Sequence, residues 1–149
     1  MSVASPATRR LIGARARQRL ERASQGVLGS HPDVVAVYLY GSAIRGEAAR
    51  DLDVAVLFRA EPPPPSALEA LAARLQREGA PDGPEIDLRC LNRTAPRFRA
   101  SVMDEGSLLL ERDPAARIEA EARAFSEWLD FKPVWERMRR RMLERLADG

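Results

Sequence analysis

Cysteine, histidine, lysine and aromatic residues are all scarce in these 149 residues, and each scarcity removes a class of function. The one cysteine, Cys90, excludes an internal disulfide and any cysteine-rich zinc site. It falls in an alternating apolar stretch, so it reads as an inert core thiol rather than a nucleophile. The one histidine, His31, lies in a loop before Pro32, where a solvated side chain is expected rather than a catalytic base. No apolar run approaches the ~20 residues that a membrane span requires. Net charge is only +2, so the chain as a whole is not a polyanion binder and direct nucleic-acid binding is not expected. The basic residues are unevenly placed, and apart from Lys132 all are arginine. Arg9, Arg10, Arg15, Arg17, Arg19 and Arg22 accompany Glu21 alone, and Arg137, Arg139, Arg140, Arg141 and Arg145 crowd the end. Solvated helix faces account for both groups.

What is present is ordinary globular composition, 45% hydrophobic and 31% charged, in a length that suits one domain, 1–149, with its own core. The arginine-rich, acid-poor start is like a transit peptide in composition. Its apolar positions nonetheless follow helical spacing, and it lacks a signal peptide's apolar core, so a soluble cytoplasmic protein is expected.

The stretch from Val34 to Phe58 organises the rest. Val34 to Tyr40 is apolar and rich in β-branched and aromatic types, as a buried strand should be. Gly41-Ser42 ends it abruptly, and glycine lets the chain turn tightly and bring its amides close to a ligand. Asp51-Leu52-Asp53 then opens a second apolar run that ends at Phe58. Residues two apart share a strand face, so Asp51 and Asp53 point one way and Leu52 the other, into the core. Two like charges on one face repel unless a cation lies between them. Hard oxygen ligands beside a phosphate-sized turn suggest Mg²⁺ holding a nucleotide.

Around this stretch the chain alternates helices and strands. Positions about 6–28 predict an amphipathic helix with Leu11, Ile12, Ala16, Leu20, Ala23 and Val27 on its apolar face. Ser42 starts a short helical turn through Arg45. Pro62 to Pro65 is a stiff connection, and Ser66 is the expected N-cap of a helix that turns Leu68, Leu71, Ala72 and Leu75 inward. Glu85 to Leu91 alternates as a strand with one wet face, carrying Asp87 and Arg89. A helix over 95–105 turns Phe98, Val102 and Met103 inward, and Ser107 to Glu111 is a short edge strand. Asp113-Pro114 signals the start of a C-terminal helical segment, about 114–146. Its predicted inner stripe is Ile118, Ala122, Phe125 and Leu129. Pro133 interrupts it before Trp135, Met138, Met142 and Leu146 resume. The expected fold class is α/β, a small mixed sheet flanked by helices.

Gly41-Ser42, Arg45-Gly46 and Asp51-Leu52-Asp53 resemble the G-S…D-x-D signature of the polymerase-β-like nucleotidyltransferases. The small size resembles their minimal, MNT-type branch. Leu110 to Asp113 and Glu127 to Pro133 resemble the closing segment of MntA-type antitoxins, which pair with HEPN-domain toxins. The resemblance runs over about residues 34–137. It implies a polymerase-β-like fold and transfer of a nucleoside monophosphate from NTP to a hydroxyl with release of pyrophosphate. ATP is the implied donor, and a tyrosine of the partner toxin, an RNase, the implied acceptor.

On that reading Asp51 and Asp53 hold two Mg²⁺ ions, and Asp87 on the next strand completes the catalytic one, which must be gripped from two sides. Gly41 and Ser42 cradle phosphates, and Arg45 and Arg50 are candidate clamps, being permanently charged and bidentate. A solvated strand-end acid and a surface arginine are the plain readings of each residue taken singly. Trp128, Phe131 and Trp135 are candidate partner contacts, since tryptophan is enriched among binding hot spots. Two other functions stay open: a catalytically weak module that neutralises the toxin by sheltering it, and a nucleotidyltransferase for a small molecule such as an aminoglycoside. Eight residues separate Ser42 from Asp51, a shorter loop than the resemblance implies. The short loop favours the binder; the intact acids favour the enzyme.

Overall fold

The computed structural model describes residues 13–45 and 51–149, with Arg45 through its backbone. Along the chain come α1 (Ala14–Val27), β1 (Val34–Tyr40), α2 (Ser42–Arg45), β2 (Asp51–Phe58), α3 (Pro65–Gly79) and β3 (Glu85–Cys90). A 3-10 turn, Leu91–Arg93, leads to α4 (Pro96–Glu105), β4 (Ser107–Glu111) and α5 (Pro114–Asp148). The strands form one mixed sheet in the order β3-β2-β1-β4. β1 runs antiparallel to β2 and β4, while β2 and β3 are parallel.

Helices cover both faces. Val37, Leu39, Leu52, Val54 and Val56 point to one side, where Leu20 and Val27 of α1 and Leu75 of α3 meet them. Val35, Tyr38, Ala55 and Leu57 point to the other, against Val102 and Met103 of α4 and Ala124 of α5. Two central strands covered on both faces read as unbroken apolar runs, which is why both were legible. Edge strand β3 keeps one wet face, and its residues alternate exposed and buried. Cys90 is buried, as its pattern requires.

The helix predicted over 6–28 is seen from Ala14; residues 6–12, with Leu11 and Ile12, lie outside the described residues. Within it Leu20, Ala23 and Val27 are buried, while Ala16 is exposed. Helix α3 starts at Pro65, before the Ser66 expected as its cap. Proline's fixed φ suits the first helical position, and its missing N–H goes unused there. Asp113 caps α5 as expected, accepting the Ala116 N–H at 3.0 Å.

Two expectations for α5 fail. The helix runs unbroken through Pro133. The carbonyl deprived of a partner belongs to Leu129, an exposed residue, so water can take its hydrogen bond. Trp128 and Trp135 also meet edge to face across the proline, with centroids 5.7 Å apart. The inner stripe is also different. Ile118 and Leu129 are 57% and 64% exposed, and Ala122 is exposed too. Ala116, Ala120 and Ala124 face the sheet instead, because small side chains let the helix lie close to it.

Candidate active site

Strand β1 ends at Tyr40, and the chain turns at Gly41 with φ +79°. A Cβ there would overlap Asp53 Oδ2 and lie 3.2 Å from Asp53 Cγ, so a side chain at this position would strain the backbone and displace that carboxylate. The Ile44 N–H donates to the Gly41 carbonyl at 3.2 Å, closing the turn of α2. Across the sheet Tyr40 is opposite Asp53, Asp53 is opposite Asp87, and Asp51 is opposite Glu85. Register partners share a face. Asp51, Asp53 and Asp87 therefore all project to the side that α4 and α5 cover, beyond the point where apolar packing ends.

Asp53 is half-buried, while Asp51 and Asp87 are exposed. Arg89 Nε donates to Asp87 Oδ2 at 3.4 Å. Among the described residues no three carboxylate, imidazole or thiol side chains stand close enough to hold one ion. By chemistry the donors suit a hard divalent cation, being oxygens only and sharing one face. By position Asp53 and Asp87 form the pair, Arg89 is the present counter-ion of Asp87, and Asp51 stands at the strand's exposed start.

Asp53 and Gly41 line a cavity of about 280 Å³, walled also by Tyr40, Arg89, Phe98 and Glu105. Burial pushes the Tyr40 phenol up to about 12; Arg89 opposes this, and the Asp53 and Asp87 charges add to it. Tyr40 is thus a neutral hydrogen-bond donor at physiological pH. Its ring meets Phe98 edge-on at 5.5 Å, and the Arg89 guanidinium lies 5.6 Å from the centre of that same ring. A second cavity, of about 340 Å³, opens at the other end of the sheet beside Val35, Phe58, Arg59 and Arg99. Volume does not make it the site. Its arginines Arg59, Arg99 and Arg123 are already paired with Asp113, Glu127 and Glu119, and the Asn92 side chain is bonded to the Phe58 backbone.

Of the candidates from sequence, Gly41 and Asp53 line the cavity, while Asp87, opposite Asp53 in register, and Asp51 share that sheet face without lining it. Ser42 is half-buried as the first residue of α2. Arg50 and the side chain of Arg45 lie outside the described residues. Trp128, Phe131 and Trp135 are not in the cavity; they line a groove between α4 and α5. Tyr40, Arg89, Phe98 and Glu105 join the cavity without having been candidates from sequence. Arg89 carried a signal, two residues from Asp87 on the same strand face. Phe98 and Glu105 carried none, because only the packing of α4 brings them here.

The polymerase beta nucleotidyltransferase family model matches residues 24–115, a span that holds all four strands and all three carboxylates. Comparison with curated proteins gives no match. Among solved structures, one chain of a mutant MntA–HpeT toxin–antitoxin complex is similar, with a TM-score of 0.70 at 19% identity over 83% of this chain and 98% of that one. A chain of a toxin–antitoxin structure with AMP-PNP has a TM-score of 0.70 at 22% identity, over 83% and 98%. A chain of the complex of tri-AMPylated Shewanella oneidensis HEPN toxin with MNT antitoxin has 0.58 at 21%, over 82% and 98%. At these identities the likenesses establish the fold. The family match takes in the whole sheet, the Gly41 turn and the facing aspartates, and the chain belongs to the polymerase beta nucleotidyltransferase family.

Proposed function

We propose that this chain is the antitoxin of a toxin–antitoxin pair. It moves AMP from ATP to a hydroxyl, a tyrosine's, of a HEPN-domain toxin and so silences that toxin's RNase activity. The observation that carries this reading is the register of Asp53 against Asp87 beside a positive-φ glycine at which a Cβ would displace the Asp53 carboxylate. The structural neighbours lend support, one holding AMP-PNP and another an AMPylated HEPN toxin beside an MNT antitoxin.

Asp51, Asp53 and Asp87 would hold two Mg²⁺ ions, which when bound acidify the attacking hydroxyl and offset phosphate charge. For that, Asp87 must exchange its bond to Arg89. Arg89 then brings a permanent charge to the phosphates from the cavity wall. Gly41 and Ser42 offer backbone N–H groups to the same phosphates, joined by Arg45 and Arg50. The neutral Tyr40 phenol donates a further bond. The acceptor oxygen forms a bond to Pα as the bond from Pα to the β-bridging oxygen breaks. Pyrophosphate leaves, and the acceptor's proton passes to a carboxylate or to water.

The test incubates the protein with labelled ATP, Mg²⁺ and the product of a neighbouring HEPN-type gene. Label on that product, lost with Asp53→Asn, is expected; no transfer by the wild type sinks the reading. A binding-only antitoxin is favoured by one observation, the exposed apolar run Met138, Met142 and Leu146. On that account Asp87→Asn protects cells from the toxin as fully as the wild type; on ours it fails. Among the described residues no helix is long and apolar enough to cross a membrane. A cytoplasmic setting, where ATP and RNA are found, is part of the proposal.

A further inference from the structure

An open groove of about 640 Å³ runs between α4 and α5. Its floor is Phe98, Phe125, Trp128, Phe131 and Trp135, five of the eight aromatic residues in the chain. All five are only half-buried, so large apolar surfaces are held at the solvent boundary. The groove adjoins the catalytic cavity: Phe98, Ser101 and Glu105 line both. Where the two meet, Asp104 and Glu105 are exposed, and neither forms an ion pair among the described residues. The far end carries the opposite charge. Arg97 lies 4.5 Å over the Trp135 ring and Arg139 lies 5.8 Å from its centre.

Small-molecule sites enclose most of their ligand, whereas the upper wall here is made of exposed residues, Arg97, Ser101, Asp104 and Glu105. An extended or helical polypeptide segment suits such a trough, with aromatic anchors below and charged residues at the rim. Adjacency to the cavity says which segment it is, and the carboxylates at the junction, without an ion pair among the described residues, say what charge that segment carries.

Building on the transfer reading above, we propose that this groove seats the acceptor. It takes an apolar polypeptide segment bearing a basic residue next to its hydroxyl and feeds that hydroxyl into the cavity past Phe98, Ser101 and Glu105. The basic residue meets Asp104 and Glu105. Such pairing places the hydroxyl while leaving nucleotide binding to the residues of the cavity.

The two tryptophans of the chain are both in the groove, so their emission reports its occupancy without any need for catalysis. The probes are a blocked twelve-residue peptide with one tyrosine flanked by leucines and lysines, and a twin with glutamates for lysines. The basic peptide should shift the emission saturably, and the acidic twin should bind about fivefold more weakly or worse, the worth of an exposed ion pair or two. Asp104→Asn with Glu105→Gln, both at exposed positions that leave the core alone, should remove most of that preference. Asp53→Asn should leave the peptide response intact while abolishing transfer, which separates failure of the groove from failure of the transfer reading. The proposal is overturned if folded protein gives no emission change with either peptide, or equal responses to both. It is also overturned if AMP-PNP alone produces the full shift, which would make the groove the nucleobase's seat.

Discussion

Replacing Gly41 with alanine adds one methyl group at the point where backbone strain and carboxylate position are coupled. At φ +79° an L-residue costs about 1–2 kcal/mol relative to glycine. For a chain of this size each kcal/mol moves Tm by roughly 2–4 °C, so a fall of about 2–8 °C is expected. The new Cβ would also overlap Asp53 Oδ2 and press within 3.2 Å of its Cγ. Relief requires either that the carboxylate swing away from its place beside Asp87 or that the turn open, and each outcome spoils the site. Binding of AMP-PNP with Mg²⁺, measured calorimetrically below the variant's Tm, should weaken by at least about tenfold, or 1.4 kcal/mol. Gly13→Ala is the control for binding: its Cβ would meet nothing within 4 Å, so affinity for the analogue should stay unchanged even though loss of the glycine N-cap of α1 lowers Tm slightly. A folded Gly41→Ala protein that binds the analogue like the wild type would refute the link drawn between this turn and the aspartates.

Other consequences can be measured separately. Arg89→Met removes the cation now paired with Asp87, so Mg²⁺ alone, without nucleotide, should bind more tightly by isothermal titration; weaker binding would mean that Arg89 assists the metal site instead. Gly26→Ala in α1 should raise stability by about 0.5 kcal/mol in urea titrations, because glycine is costly in a helix. Its Cβ would find only an ordinary contact with Glu78 Oε2 at 3.6 Å. Tyr40 titrates higher in the folded chain than in the unfolded one, so its neutral form contributes stability below pH 10 that is lost as the pH rises toward 12. Denaturation at pH 9 and at pH 12 should therefore show a smaller alkaline loss for Tyr40→Phe than for the wild type. An equal loss would place the alkaline instability elsewhere, Tyr38 being the first suspect because burial and its bond to Glu121 hold its phenol higher still.

Local chemistry made much of this protein readable from its residues. The bounds of β1 and β2 agree with their apolar runs because β-branched side chains, the glycine turn and the prolines act over a few residues. That Asp51 and Asp53 share a face follows from the two-residue strand period, and that Asp113 caps α5 follows from a side chain reaching its own helix's first turn. The orientation of α5 was not local. It offers two stripes at helical spacing, one of large residues through Ile118 and Leu129 and one of alanines, and size favoured the wrong one. The sheet and α4 leave a shallow space, which only Ala116, Ala120 and Ala124 allow the helix to enter, so Ile118 and Leu129 were left to solvent. The site divides in the same way. Its carboxylates and turn are written in one short stretch and the next strand, but the pairing of Asp53 with Asp87 is a matter of register. Tyr40, Arg89, Phe98 and Glu105 converge because a sheet edge and the packing of α4 bring distant segments together, and no period within a single segment encodes that meeting.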